Sequence, residues 1–208
     1  MLYFANPCSP RVVDAMRDNT LGFIDTPAQG NARPSGVTWC ADNGCFSDKW
    51  DEARWWKFLV DNAHDADTCL FAVAPDVVGD AWRTGIKSRP WIERIRGLGY
   101  PVAWVAQDGQ ELHPLPWLGI DCLFIGGTTE WKLGPAAREL VSEAKRRGKW
   151  VHMGRVNSKR RYDYARFIGC DSVDGTYLTF GPDENLPKLL SWVDGASQGF
   201  LDYAGVVA

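Results

Sequence analysis

The sequence contains no apolar run that approaches the roughly 20 residues needed to cross a lipid bilayer. Its N-terminus, MLYFANPCSPR, also lacks a basic segment followed by an apolar one, which is the pattern of a secretory signal. Internal repeats, low-complexity tracts and an interdomain linker are absent as well. These absences predict a soluble, cytoplasmic protein with no membrane partner, folded as a single domain over residues 1–208.

Neither apolar nor charged residues are depleted. Of the 208 residues, 45% are hydrophobic and 24% are charged, as in ordinary globular domains. Intrinsic disorder, collagen-like repeats and coiled coil are therefore excluded as descriptions of the whole chain. The six cysteines are scattered along a chain that is too long to need disulfide bridges for stability, so we expect reduced thiols.

Positive charge is concentrated in one part of the chain. Residues 145–166 contain nine lysines and arginines against a single acid, Asp163, although the net charge of the protein is −3. An acidic body with one basic stretch predicts a polyanionic partner that touches one face. Two solvated helix surfaces would give the same composition and are the alternative interpretation.

Short apolar runs alternate with amphipathic segments of helical spacing. The runs that we predict as strands are residues 2–5, 22–25, 37–40, 69–73, 102–105, 122–125, 150–153 and 172–174. Strands that alternate with helices form a parallel sheet covered on its faces. About eight strands in about 200 residues predict an α/β fold of the compact (β/α)8 TIM-barrel type, with a seven-stranded or partly open version as the alternative.

Polar residues follow directly after several predicted strands, at the end where parallel barrels build their sites. They are Asp42, Asp76, Gln107, Asp108, Gly126, Gly127 and Asp174. Paired carboxylates suit chemistry at a glycosidic carbon, because one attacks or stabilises a cation-like sugar and the other moves a proton to or from the base. A diglycine lets a planar ring approach the backbone closely. Carboxylates that only cap helices would occupy the same positions.

Six short motifs occur in order along residues 37–180. They are Asp42-Asn43-Gly44-Cys45-Phe46, Ala74-Pro75-Asp76, Val105-Ala106-Gln107-Asp108-Gly109, Phe124-Ile125-Gly126-Gly127, His152-Met153-Gly154 and Gly169-Cys170-Asp171-Ser172-Val173-Asp174. In this order they resemble the motifs of the tRNA-guanine transglycosylases. The resemblance is closer to their small phage relatives, the DpdA-like 7-deazaguanine DNA transglycosylases.

The resemblance implies a transferase that replaces guanine in DNA with a 7-deazaguanine base of the preQ0 type, a modification with which phage DNA evades restriction. It implies that Asp174 is the nucleophile at C1′ and that Asp42 is the general base. The residues implied to bind the base are Phe46, Asp76, Gln107, Gly126, Gly127 and Met153. The residues placed to bind flanking phosphates are Arg155, Lys159, Arg160 and Arg161.

The chain also departs from this family. The Cys-x-Cys-x-x-Cys run with a later histidine, which binds zinc in the family, has no counterpart after Asp174, so we predict no metal and no other cofactor. The absence of an appended RNA-binding domain and of the zinc site favours DNA as the substrate, and tRNA is the alternative. His152 we interpret as a core histidine. An N-glycosidase that uses water, and a non-catalytic nucleic-acid-binding barrel, are the alternative functions.

Overall fold

The computed structural model describes residues 1–47 and 50–195, in which eight parallel strands close into a barrel in chain order. The strands are β1 (Leu2–Ala5), β2 (Leu21–Asp25), β3 (Trp39–Ala41), β4 (Cys69–Val73), β5 (Val102–Ala106), β6 (Cys122–Ile125), β7 (Trp150–Met153) and β8 (Ser172–Asp174). The last strand pairs with the first in the register Leu2↔Ser172, which closes the sheet. The predicted (β/α)8-type barrel is therefore confirmed. We call the end at which all the strands terminate the mouth.

The helices cover the outside of the barrel with an irregular spacing. They are α1 (Pro10–Arg17), α2 (Glu52–Asp61), α3 (Ala81–Arg96), α4 (Thr129–Lys132), α5 (Pro135–Arg146), α6 (Lys159–Ile168) and α7 (Pro182–Asp194). Within the described ranges, β2 and β5 are not followed by an α-helix. The helix α6 shows how local sequence sets the ends: the Ser158 side chain accepts the backbone N–H of Arg161, and Gly169 ends the helix with a left-handed φ of 100°.

Alternation along the strands divides the core into two layers, because successive strand residues point to opposite faces. One layer fills the barrel and includes Phe4, Phe71 and Val105. The other lies between strands and helices and contains large buried side chains such as Trp39 and Trp104. The direction in which a strand residue points therefore decides whether it can reach the cavity at the mouth.

Some features that would signal other functions are not found among residues 1–47 and 50–195. None of the helices there is long and apolar enough to cross a membrane. No group of three or more His, Cys, Asp or Glu side chains in these ranges is arranged to hold a metal ion. The six cysteines carry free thiols, and all except Cys8 are buried.

Candidate active site

A cavity of about 410 Å³ opens at the mouth of the barrel. Nine of the twelve residues predicted to act in the site line it, and they come from the segments that follow β3 to β7 and from the end of β8. These nine are Asp42, Phe46, Asp76, Gln107, Gly126, Gly127, Arg155, Arg161 and Asp174. The three predicted residues that do not line it are Met153, Lys159 and Arg160.

Asp76 and Gln107 form a buried polar network on one side of the cavity. The Gln107 Nε2 donates to Asp76 Oδ2 at 2.7 Å, and Asn43 Nδ2 donates to Asp76 Oδ1 at 3.0 Å. The Gln107 Oε1 accepts the backbone N–H groups of Gly127 at 2.8 Å and of Gly79 at 2.9 Å. Gln107 therefore fixes the diglycine backbone in addition to facing the cavity.

Asp42 lies in a tight turn after β3. Its Oδ1 accepts the backbone N–H of Gly44 at 3.1 Å, and Gly44 has a left-handed φ of 73° that favours glycine. Burial, reinforced by the nearby charges of Asp174 and Asp76, raises the pKa of Asp42 to about 7. A carboxyl with this pKa can both give and take a proton near neutral pH.

Asp174 ends β8 and contacts a histidine that lies inside the barrel. The His152 Nε2 is 2.9 Å from Asp174 Oδ1, and its Nδ1 is 2.9 Å from the Ser172 Oγ. The other carboxylate oxygen, Asp174 Oδ2, accepts the backbone N–H of Arg155 at 3.4 Å. His152 is fully buried, as a core histidine is, but our interpretation from the sequence missed its contact with the predicted nucleophile.

Two glycines at the mouth keep the backbone close to the site. A Cβ at Gly126 would lie 2.6 Å from the Val105 side chain and 2.9 Å from Gln107 Nε2. A Cβ at Gly154 would lie 2.7 Å from the Phe124 ring and 3.2 Å from Asp174 Oδ1. Any larger residue at either position would therefore displace side chains that shape the cavity.

Lys132 is a buried cation that the sequence analysis did not single out. It ends the short helix α4, is 1% exposed, and donates its Nζ hydrogen to the Gly154 carbonyl at 2.6 Å. Burial, followed by the positive charge of Arg155, lowers the pKa of Lys132 to about 7. Arg155, which follows the anchored carbonyl, has a left-handed φ of 60°, a strained conformation for a residue other than glycine.

Two of the four predicted phosphate-binding cations reach the cavity. The Arg155 guanidinium donates to the Gly127 carbonyl and lies 4.5 Å from the centre of the Phe46 ring. Arg161 lines the wall and donates to the Arg155 carbonyl at 3.5 Å. Lys159 instead forms an exposed ion pair with Asp163 at 2.6 Å.

The basic segment 145–166 does not form the single face that the sequence led us to expect. Its members before β7 lie at the end of the barrel opposite the mouth, where Lys145 pairs with Asp171 at 2.7 Å and Lys149 donates to the Ile120 carbonyl at 2.8 Å. After β7, Arg155 and the cations at the start of α6 lie at the mouth, whereas Arg166, in the last turn of α6, lies at the opposite end near the N-terminal amine of Met1. β7 and α6 therefore divide the segment, and only Arg155 and the cations at the start of α6 can serve the cavity.

Met153, predicted as a wall for the base, does not line the cavity. It follows His152 on β7, so it points to the opposite face of the sheet. Its side chain is 1% exposed and packs in the layer between strands and helices. The prediction for Met153 is corrected: an aromatic ring of the inner layer, Phe124, lines the cavity.

No protein-family profile and no curated protein matches this chain. Solved structures match nearly all of it. A chain of the Amycolatopsis orientalis BexX/CysO complex aligns with a TM-score of 0.65 and 16% identity, over 98% of this chain and 91% of that one. A native KDPGal structure aligns with a TM-score of 0.52 and 13% identity, over 99% of this chain and 95% of that one. The aldolase QR15 aligns with a TM-score of 0.51 and 13% identity, over 91% of this chain and 94% of that one. At these identities the likeness shows the fold, which is that of a TIM barrel.

Proposed function

We propose that this protein is a base-exchange transglycosylase, which replaces guanine in DNA with a 7-deazaguanine base of the preQ0 type. The observation that carries the proposal is the cavity shared by Asp42, Asp76, Gln107 and Asp174. These are the residues to which the resemblance to guanine transglycosylases assigns proton transfer, base recognition and nucleophilic attack. A volume of about 410 Å³ also suits a small ligand such as a purine-like base.

The proposed reaction has two half-reactions that share one covalent intermediate. In the first, a carboxylate oxygen of Asp174 attacks C1′, the C1′–N9 bond breaks with its electron pair passing to guanine, and the Asp42 carboxyl protonates the leaving base. In the second, the Asp42 carboxylate takes the N9 proton of the incoming base, N9 attacks C1′, and the Asp174 carboxylate leaves. The pKa of Asp42, about 7, suits both of its roles.

Recognition of the base falls to Asp76, Gln107 and the backbone of Gly126 and Gly127. The first two are already hydrogen-bonded to each other at 2.7 Å, so a base that binds them exchanges this bond for bonds to its own edge. The backbone N–H of Gly127 is held by Gln107 at 2.8 Å, which couples the diglycine to the same rearrangement. Specificity for a guanine-like edge follows from this mixture of carboxylate, amide and peptide groups.

Two arginines on the cavity wall near Asp174 fit a nucleic-acid substrate, and the closer resemblance to the DNA enzymes favours DNA over tRNA. Arg155 and Arg161 supply positive charge where the phosphates beside an extruded nucleotide would lie. The segments after β4 and β5 carry the acids Asp80, Asp108 and Glu111. We therefore expect the sugar–phosphate backbone to follow the side of the mouth formed after β7 and β8.

Neutralising Arg161 should weaken DNA binding, whereas neutralising an arginine at the opposite end of the barrel should not. We expect Arg161→Gln to lower the affinity several-fold and to reduce the slope of log Kd against log salt by about one. Arg146→Gln, at an exposed position near the end of α5, is the matched control. Fluorescence anisotropy with a labelled oligonucleotide over a salt series measures the affinity and the salt slope of each variant. Equal losses in the two variants would contradict a phosphate site at the mouth.

The proposed function is tested by incubating the purified protein with guanine-containing DNA or with tRNA, together with 7-cyano-7-deazaguanine. Nucleoside mass spectrometry then reports incorporation. A deazaguanine nucleoside from DNA alone is the expected result, and incorporation into tRNA would overturn the proposed substrate. Guanine release without incorporation would identify an N-glycosidase. Binding of DNA without either product would leave a non-catalytic binding barrel.

A further inference from the structure

A chain of hydrogen-bonded side chains crosses the barrel interior and ends on Asp174. The Trp150 Nε1 donates to the Ser172 Oγ at 2.8 Å. The same Oγ is 2.9 Å from His152 Nδ1, and His152 Nε2 is 2.9 Å from Asp174 Oδ1. Ser172 and His152 are both fully buried, so their polar groups depend on these contacts.

We infer the proton positions along this chain from the groups that can only donate and those that can only accept. An indole N–H only donates, so Ser172 accepts from Trp150 and has its own hydroxyl hydrogen left to donate. His152 Nδ1, at 2.9 Å, is placed to accept this hydrogen, and an ionised Asp174 can only accept from Nε2. A neutral imidazole that accepts at Nδ1 carries its hydrogen on Nε2, and this nitrogen therefore donates to the Asp174 carboxylate.

The surroundings of His152 hold the imidazole in this orientation. The rings of Phe124, Phe71 and Phe4 pack around it with centroid separations of 4.5, 5.2 and 5.8 Å. Rotation of the imidazole would require these rings to move, because the barrel interior is closely packed. The donor that Asp174 meets is therefore fixed in place before any substrate arrives.

We propose that His152 is a positioning residue, which holds Oδ1 of Asp174 and directs Oδ2 towards the reacting sugar carbon. This inference rests on the proposed function in one respect, namely that Asp174 attacks C1′. Oδ2 has a weaker contact, the Arg155 N–H at 3.4 Å, and belongs to a residue that lines the cavity. One oxygen is thus held and the other is available for attack, which is the preorganisation that a nucleophile needs.

A neutral donor suits this task better than a cation. A positively charged imidazolium would stabilise the free carboxylate more than the neutral ester that forms when Asp174 attacks, and would therefore slow the attack. A neutral N–H also fixes the orientation of the carboxylate, and it stabilises the free carboxylate less than a cation does. In this arrangement the Ser172 hydroxyl donates to Nδ1, and Nε2 is the N–H that meets Asp174.

The proton arrangement can be measured without any substrate. The chain has three histidines, and a long-range ¹H–¹⁵N spectrum distinguishes the two neutral tautomers, with His152→Gln identifying the signals of His152. We expect the Nε2–H tautomer in the wild type and a mixture of forms in Ser172→Ala. An Nδ1–H tautomer in the wild type would overturn the proposal. This outcome does not depend on whether the protein exchanges bases.

Kinetics test the consequence for the reaction. His152→Leu removes the donor and is expected to lower kcat about 100-fold with little change in KM for the incoming base, because Asp174 loses its orientation and the base site is untouched. His152→Gln retains an N–H donor and should recover most of this loss. Ser172→Ala, which leaves the imidazole in place, should have an intermediate effect. Wild-type rates in His152→Leu, or equal losses in the Leu and Gln variants, would overturn the positioning role.

The two proposals fail in different ways. If the wild-type protein exchanges no base in either polymer, the proposed function fails, and the tautomer measurement still decides the contact between His152 and Asp174. If the wild type is active and His152→Leu matches it, the positioning role alone fails. A thermal melt of each variant shows whether a loss of activity reflects a loss of fold.

Discussion

Replacing the Asp174 carboxylate by an amide is expected to abolish base exchange. Asp174→Asn removes the attacking oxygen anion and should lower the rate by about 10⁴-fold or more, as removal of an enzymatic nucleophile does. The amide oxygen can still accept from His152 Nε2, which lies 2.9 Å from Oδ1, so the fold should persist. Initial rates of guanine release from DNA measure the effect. When the incoming base is omitted, a covalent protein–DNA adduct should accumulate in the wild type and be missing in the variant.

The control for this variant is the same substitution at an acid on the same end of the barrel. Asp183 is exposed and lies at the start of α7. Asp183→Asn removes the same charge without touching the cavity, so its activity should equal that of the wild type. An Asp174→Asn protein that retained a tenth of the wild-type rate would show that Asp174 is not the nucleophile. Equal losses in both variants would point instead to an effect of net charge.

The sequence predicts the barrel well because hydrophobic runs and helical spacing are local signals. The boundaries are less well predicted where pairing between strands decides them. We predicted a strand over residues 37–40, whereas β3 is Trp39–Ala41, and its register with β4 shifts between Trp39 and Ala41. Such an irregularity depends on the neighbouring strand, and residue types within β3 do not reveal it.

The cavity residues that follow a strand directly could be predicted because all parallel strands end at the same side of the barrel. The face of the sheet to which a side chain within a strand points could not be predicted in this way. On β7, either His152 or Met153 could face the interior, and the resemblance to the guanine transglycosylases implied Met153 as a wall for the base. The register pairs His152 with Ser172, which shares a face with Asp174 because the two are separated by one residue. This places His152, and not Met153, beside the carboxylate.

The basic segment illustrates a different error. Residues 145–166 are continuous in sequence, yet they include β7, which runs from one end of the barrel to the other. Cations that directly precede and directly follow a strand lie at opposite ends of the molecule, so a charge total over such a segment overstates the charge at any one surface. The strand predicted over residues 150–153 already divides this segment. The charge therefore needed to be counted separately on each side of the strand.

Lys132 had no sequence signal, because its helix α4 has only four residues and shows no amphipathic pattern. Because Lys132 is buried, we expect the free energy of unfolding to depend on pH. The pKa is about 7 in the folded protein, below the ordinary value of 10.5, so between these values the unfolded chain binds a proton that the folded chain lacks. The free energy of unfolding therefore rises with pH in this window, and below it both states are protonated and the full penalty of burying the charge is present.

Lys132→Met removes this dependence. We expect the free energy of unfolding of the wild type, measured relative to that of the variant by urea denaturation, to rise by about 1–2 kcal/mol between pH 7 and pH 8.5. The comparison with the variant cancels the titration of the cysteines and tyrosines, which both proteins share. Lys188→Met, at an exposed position on α7, controls for the loss of a lysine charge.

The outcome bears on the site as well as on stability. The Nζ of Lys132 binds the Gly154 carbonyl at 2.6 Å, and the next residue is the strained Arg155, whose N–H contacts Asp174. A neutral lysine can make this hydrogen bond without placing a second cation beside Arg155. The same titration that destabilises the fold at low pH therefore also puts a positive charge on the side chain that holds the Gly154 carbonyl. If the difference between wild type and variant is independent of pH, Lys132 keeps the same protonation state in the folded and unfolded chains. The Gly154 carbonyl is then held by a charged lysine, whose charge the carboxylate of Asp174 partly offsets.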